Sequence, residues 1–328
     1  MSHGVKPHHI GLLTSGGDSP GMNAAIRAVV RCAHVQGLKV TGFLGGYDGL
    51  VNGRSRPLGP RDVSNIIQRG GTMLRTARSA AFFTEEGRAK AASILGELGV
   101  EALVVIGGNG TFTGADILHR EHGVRSVGLP GTIDNDLKGT DRSIGYDTAI
   151  NTAVEAIDRI RDTASSHDRL FFVEVMGRDS GAIALDCAVA AGAEFVLVPE
   201  REEHIDQLIE AIKGSDGAKA SSIVVVAEGE TEGGAFRIAD LVKDRLPNKD
   251  IRVTVIGHVQ RGGSPTVQDR VLSSRLGVAA VDALVRGEHS CMMGMIGGQV
   301  TSTPFAEAIQ GHRELDRDLF RVLRILAT

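Results

Sequence analysis

Residues 104–114 read VVIGGNGTFTG. An aliphatic run ends in two glycines, and a pattern with helical spacing then continues through residues 111–121. A short apolar strand, a glycine loop and a helix, in that order, form the repeating unit of a parallel α/β sheet. Glycines at a strand end let the backbone approach a ligand, and a helix start offers unpaired N–H groups to an anion such as phosphate. Gly108, Gly110 and Gly114 do not have the spacing of GxGxxG, and no GK[ST] follows as in a Walker A loop. A tight βα turn would use the same glycines. The polar residue in the loop, Asn109, is an amide where a site for metal and phosphate would favour a carboxylate.

The same order recurs outward from this stretch. Residues 9–14 predict a strand, SGGDSPG (15–21) a second glycine loop, and MNAAIRAVVRCAHVQG a helix stopped by Gly37. Further strands are predicted at 40–44, 102–106, 126–129, 170–175, 195–198 and 222–227. Helices are predicted at 62–67, 85–98, 144–161, 205–213 and 270–286. The expected fold is α/β, with two parallel-sheet, three-layer domains: residues 1–145, completed by 259–328, and residues 146–258.

The chain has 328 residues, 42% hydrophobic and 23% charged, as expected of a folded protein. A net charge of −4 argues against a general nucleic-acid binder. Cys32, Cys187 and Cys291 are scattered, which argues against a disulfide scaffold or structural zinc. The first ten residues carry no apolar signal core, and no run reaches the ~18 apolar residues of a membrane span. A cytoplasmic protein with no membrane partner is expected.

Two glycine loops precede GTIDNDLKGTD (131–141), which crowds Asp134, Asp136 and Asp141. In an extended segment Asp134 and Asp136 would face the same way, one accepting a proton and the other helping to hold magnesium; a turn would separate them. An Asx-rich turn is the alternative. Arg75 and Arg78 stand in RGGTMLRTARS, Arg178 follows Met176-Gly177, and His258 and Arg261 lie in GHVQRGGSP. Arginines beside glycine loops at successive strand ends suit phosphate recognition and phosphoryl transfer.

From about residue 10 to 287 the chain resembles the phosphofructokinase family in its compact bacterial form. The resemblance rests on LLTSGGDSPGMNAAIRAVVR, RGGTMLRTAR, LVVIGGNGTFTGA, LPGTIDNDLKGTD, EAIDRIRDTASSH, VEVMGRDSGAIAL and GHVQRGGSPTVQDR. It implies transfer of the γ-phosphoryl of ATP, with Mg2+, to the 1-hydroxyl of fructose 6-phosphate. Residues 1–145 would then bind nucleotide and residues 146–258 the sugar phosphate. By this likeness Asp134 is the general base, Thr132 and Asp136 support substrate and metal, and Arg178 faces the transferred group. Gly17, Arg78, Ser79, Asn109, Gly110, Thr111, Thr113 and Gly114 would line the nucleotide. Met176, Gly177, Glu228, His258 and Arg261 would hold the sugar phosphate, with Arg169 and Arg252 reaching it from a neighbouring subunit of a homotetramer. An effector site would match Arg27, Arg31, Arg161, Glu194 and Lys219, although other matching positions have become Pro60, Asn65 and Gly217.

Pyrophosphate-using relatives usually carry aspartate in place of Gly110 and lysine in place of Gly131, so both glycines favour ATP. Asn109 replaces a metal-associated aspartate, and Arg75 replaces a small residue. Asn109 either faces the metal with weaker affinity or caps the helix that follows. The alternatives to an ATP-dependent kinase are a kinase using pyrophosphate or another sugar phosphate, and a non-catalytic regulatory subunit.

Overall fold

The structure is a computed structural model and describes residues 6–164, 169–201, 205–215, 221–311 and 313–327. The chain begins with β1 (His9–Thr14), α1 (Met22–Val35), β2 (Lys39–Phe43), α2 (Gly46–Val51), β3 (Ser55–Pro57), α3 (Glu85–Glu97), β4 (Ala102–Gly107), α4 (Asn109–His122), β5 (Arg125–Pro130) and α5 (Tyr146–Ala164). It continues through β6 (Arg169–Val175), α6 (Ala182–Ala190), β7 (Phe195–Leu197), α7 (Ile205–Ser215), β8 (Ser221–Ala227), α8 (Gly234–Arg245) and β9 (Asp250–Val255). Then follow α9 (Val267–Val285), β10 (Cys291–Ile296), β11 (Gln299–Pro304), α10 (Phe305–Ala308) and α11 (Arg317–Leu326). Residues 62–67, expected as a helix, form turns instead. Val63 and Ile66 are buried as the apolar spacing suggests, but Asn65 is left-handed (φ 55°), which breaks a helix.

Two compact units share the chain. Residues 1–133, 137–148 and 261–312 form the first; residues 134–136, 149–260 and 313–328 form the second. The sequence reading gave all of 259–328 to the first unit, whereas α11 packs on α6 within the second. There the Arg201 guanidinium lies 4.3 Å from the ring centre of Phe320.

The first unit holds a seven-stranded sheet in the order β11-β10-β5-β4-β1-β2-β3. Strand alternation explains its layers. Ile10, Leu12, Val104 and Ile106 bury one face against α1 and α9; Leu13, Leu103 and Val105 bury the other with Tyr47, Leu95 and Phe112. All paired strands in it are parallel except the edges, β3 on β2 and β11 on β10. Asp269 ties the start of α5 to α9. Its carboxylate accepts from Gly145 N (2.8 Å), Thr148 N (2.8 Å) and the Thr148 hydroxyl (2.5 Å).

The second unit holds a four-stranded parallel sheet, β7-β8-β6-β9. Leu170, Phe172, Val224 and Val226 pack against Leu208, Ile212, Ile238 and Val242 from α7 and α8. β6 is central, flanked by β8 and β9, so the loops after these three strands emerge at one edge.

Candidate active site

In the first unit, chain order reverses between β1 and β4, and α/β sheets bind ligands where this happens. The loops after the two strands are stitched together. Ser15 N donates to the Ile106 carbonyl (2.9 Å), and the buried Thr111 hydroxyl donates to the Ser15 carbonyl (3.2 Å). A Cβ on Gly107 would lie 2.2 Å from Thr111 Oγ1 and 2.5 Å from the Ser15 carbonyl oxygen, so only glycine lets these loops meet. Thr111 therefore links the loops. Gly108 takes the cap position of α4 without a side-chain bond, and Asn109 is already helical. That removes the alternative in which Asn109 caps α4. The exposed Thr113 hydroxyl donates to the Asn109 carbonyl (2.9 Å).

Gly110 and Gly114 differ in what faces them. A Cβ on Gly110 would meet no atom within 4 Å, so packing does not impose glycine there. A Cβ on Gly114 would lie 2.9 Å from Phe82, which stacks on Tyr47 with ring centres 4.0 Å apart. The Tyr47 hydroxyl donates to the Thr111 carbonyl (2.7 Å), and burial raises its pKa far above the usual tyrosine value.

Asn23, overlooked in the sequence, shapes the loop that carries Arg75 and Arg78. Its amide nitrogen donates to the Arg69 and Gly70 carbonyls (both 3.1 Å), and its oxygen accepts from Met73 N (2.7 Å). Ser79 is buried, and its hydroxyl accepts from Phe82 N (3.3 Å). Arg75 and Arg78 are exposed. Arg261 lies on the first glycine loop: its Nη1 is 2.6 Å from where a Cβ on Gly17 would stand, and it donates to the Asp18 carbonyl (3.4 Å). Thr132 is buried, 3.5 Å from the corresponding point on Gly108.

In the second unit, Asn135 is left-handed (φ 52°), so Asp134 and Asp136 do not share one face of an extended strand. Asp134 is 4% exposed, and its Oδ2 lies 3.9 Å from Arg178 Nε. Arg178 projects from a tight turn after β6, itself left-handed at φ 54°. One Glu228 oxygen holds this turn, accepting from Gly177 N (3.2 Å) and Arg178 N (2.7 Å). A Cβ on Gly229 would fall 2.0 Å from the Arg178 carbonyl oxygen. Buried Gln260, not singled out in the sequence, accepts from Met176 N (2.9 Å). His258 is exposed in the short turn Gly257–Arg261.

The phosphofructokinase family model matches residues 9–284. The chain belongs to the phosphofructokinase family. Over 319 residues it is 57% identical to the ATP-dependent 6-phosphofructokinase 1 of Thermus thermophilus, covering 97% of this chain and 99% of that protein. It is 54% identical to the ATP-dependent 6-phosphofructokinase 2 of Bacteroides thetaiotaomicron, over 97% of this chain and 98% of the relative. Among solved structures it matches phosphofructokinase from Saccharomyces cerevisiae at a TM-score of 0.86 and 37% identity. That match covers 92% of this chain and 45% of the yeast chain.

Other residues of the phosphofructokinase pattern stand apart. Arg169 opens β6 and pairs with Asp250 (2.8 Å); Arg252 reaches the same carboxylate (3.1 Å). These contacts, Arg169 first, hold the Asp250 carboxyl below its usual pKa. At ~3.3 Å per strand residue, Arg169 is roughly 20 Å along β6 from Met176, so it does not join the Arg178 cluster of its own chain. Arg27 and Arg31 lie on α1. In the second unit, Arg161 donates to the Ala191 (2.6 Å) and Gly192 (2.9 Å) carbonyls, and buried Glu194 accepts from Ile223 N (2.5 Å). Lys219 and Gly217 lie outside the described residues.

Proposed function

We propose that this chain transfers the γ-phosphoryl of ATP to the 1-hydroxyl of fructose 6-phosphate, giving fructose 1,6-bisphosphate. The two relatives named above are called ATP-dependent 6-phosphofructokinases and align over almost their whole length. The observation that carries the reading to residues is the buried Asp134 carboxylate beside the exposed Arg178 guanidinium. A carboxylate held in one place can align a hydroxyl and take its proton, and an arginine beside it stabilises charge on the transferred group. Thr132 and Asp136 support the acceptor and the metal. Met176, Gly177 and Glu228 position Arg178, with His258 and Arg261 on the sugar phosphate. Gly17, Arg78, Ser79, Asn109, Gly110, Thr111, Thr113 and Gly114 shape the donor site. The first unit, Thr132 and Arg261 apart, is then the nucleotide side and the second the sugar-phosphate side.

Among the described residues, no group of three or more His, Cys, Asp or Glu is placed to hold a metal alone. The chain does offer hard oxygen donors: the buried Asp136 carboxylate and the Asn109 amide. Either oxygen is of the kind that suits Mg2+ held largely by donor phosphates and water, because magnesium keeps several of its waters. When bound, the ion neutralises charge on the phosphates. Asn109 supplies an oxygen without a negative charge. Restoring the charge with Asn109→Asp is expected to lower the free Mg2+ needed for half-maximal rate about threefold to tenfold. The measurement is rate against free Mg2+ at fixed nucleotide; an unchanged curve removes Asn109 from the metal site.

Gly110 carries the donor argument. An aspartate there would meet no protein atom at Cβ, so its absence bears on what approaches the loop, and a carboxylate would repel a nucleotide's inner phosphate. Gly131 carries less, because a Cβ there would lie 2.8 Å from Ile106, so packing is a second reason for glycine. The test of the function crosses ATP and pyrophosphate against several sugar phosphates. The expected result is a kcat/KM at least tenfold higher with ATP, estimated from about 1.4 kcal/mol of discrimination, and fructose 6-phosphate as the best acceptor. Higher kcat/KM with pyrophosphate overturns the donor assignment, and binding without turnover favours a regulatory subunit.

The assembly proposed is a homotetramer in the cytoplasm, with Arg169 and Arg252 serving a neighbour's acceptor site and Arg27, Arg31, Arg161, Glu194 and Lys219 an effector site. Among the described residues no helix is long and apolar enough to cross a membrane.

A further inference from the structure

We infer that Arg75 is a donor-phosphate-binding residue of this enzyme, held at the mouth of the glycine loops by a strained backbone. The inference rests on the ATP-dependent reading above. Arg75 has a left-handed backbone, φ 59°. For a residue with a Cβ that conformation is disfavoured, and it persists only where the surroundings enforce it. The Thr14 hydroxyl, fully buried at the end of β1, donates to the Arg75 carbonyl (3.0 Å), and the Thr72 hydroxyl meets Thr14 Oγ1 at 3.0 Å. On the same segment, Gly45 N donates to the Leu74 carbonyl (2.8 Å), and Asn23 holds Met73 N (2.7 Å). The backbone is thus pinned on both sides of the strained residue.

The place where it is pinned is informative. Thr14 immediately precedes Ser15, whose carbonyl accepts from Thr111 at the start of α4 (3.2 Å). The anchor of Arg75 is therefore one residue from the stitch between the two glycine loops. Arg75 is exposed, and among the described residues its guanidinium has no carboxylate or carbonyl partner. Of the other arginines, Arg54 pairs with Asp48 and Arg88 grips Glu121 (2.6 Å), while Arg78, three residues on in the same loop, is exposed like Arg75. An uncommitted guanidinium on a rigid, strained anchor beside two phosphate-type loops matches the planar fork that phosphate oxygens accept. Packing supplies no competing reason for the strain, since an exposed arginine fills no core.

The test compares Arg75→Gly, Arg75→Asn and Arg75→Lys with the natural protein. Glycine and asparagine tolerate the left-handed backbone and remove the charge; lysine keeps the charge and the strain. For Arg75→Gly the thermal midpoint is expected to rise by about 2 °C from relief of strain. The dissociation constant for MgATP, measured by calorimetry, is expected to rise about fivefold, and KM for ATP with it, more than kcat falls. Asparagine should show the same loss of affinity and lysine about half of it. The affinity difference between natural and glycine proteins should shrink as salt rises from 0.05 to 0.5 M, both estimated conditions for screening. Unchanged MgATP affinity in Arg75→Gly overturns the inference whatever happens to the midpoint. If the natural protein binds MgATP in an Arg75-dependent way but does not phosphorylate fructose 6-phosphate, the inference stands and the assigned reaction fails instead.

Discussion

Asp134→Asn is expected to lower kcat about 10²- to 10⁴-fold, the usual range for removing a general base. Fructose 6-phosphate should bind with little change. Asp134 is 4% exposed and its carboxylate is 3.9 Å from a guanidinium nitrogen, so its environment is fixed before substrate arrives. Asparagine has the same shape and keeps one oxygen acceptor, so alignment of the hydroxyl survives and proton acceptance does not. Loss is therefore expected in turnover and not in ground-state binding. Steady-state kinetics with both substrates saturating, together with calorimetric binding of the sugar phosphate, separate the two. A folded Asp134→Asn protein with kcat within threefold of natural, as a rough bound set against that range, removes Asp134 from proton transfer.

Much of the first unit was legible in the sequence, whereas the amphipathic helices α8 and α11 and the alternating strand β9 were passed over. β1 and α3 were legible almost to the residue because apolar period and flanking signals coincide. α6 was not, because AIALDCAVA is apolar on nearly every side and shows no face. β10, CMMGMI, carries a glycine and flexible methionines in place of β-branched residues. Residues 62–67 show the opposite error, since their apolar spacing was correct but the local conformation was turns. At the site, glycine loops and aspartates announced themselves by composition. What holds them did not. Asn23 and Gln260 act on backbone groups that become neighbours only after folding, and Glu228 uses an oxygen on two backbone N–H groups. A positive φ is visible in a sequence when glycine supplies it, but Arg75 and Arg178 conceal it. A helix cap stayed open as an alternative for Asn109 because the start of α4 was placed two residues late.

Arg178 is where that concealed strain leads to the second large effect. Its backbone is left-handed, and the fold restrains it in two ways: Glu228 accepts from Gly177 N and Arg178 N, and the bare Gly229 admits the Arg178 carbonyl. Holding an arginine in an unfavourable conformation costs on the order of 1 kcal/mol, so the fold sacrifices stability to aim this side chain. The side chain is 63% exposed, which leaves its guanidinium accessible to substrate while Nε stays near Asp134. Arg178→Gly separates aim from charge, because glycine accepts the same backbone and keeps the turn. Its expected thermal midpoint is equal to or above that of the natural protein, while kcat falls about 10²- to 10³-fold, as when a donor facing developing charge is removed. Arg178→Lys should recover only part of the loss, since a point charge lacks the planar fork. Added guanidinium ion at millimolar concentration is expected to raise turnover of Arg178→Gly and leave Asp134→Asn unaffected. If Arg178→Gly keeps turnover within about fivefold of natural, well short of the loss expected for a transition-state donor, Arg178 serves the turn alone and the charge on the transferred phosphoryl is met elsewhere.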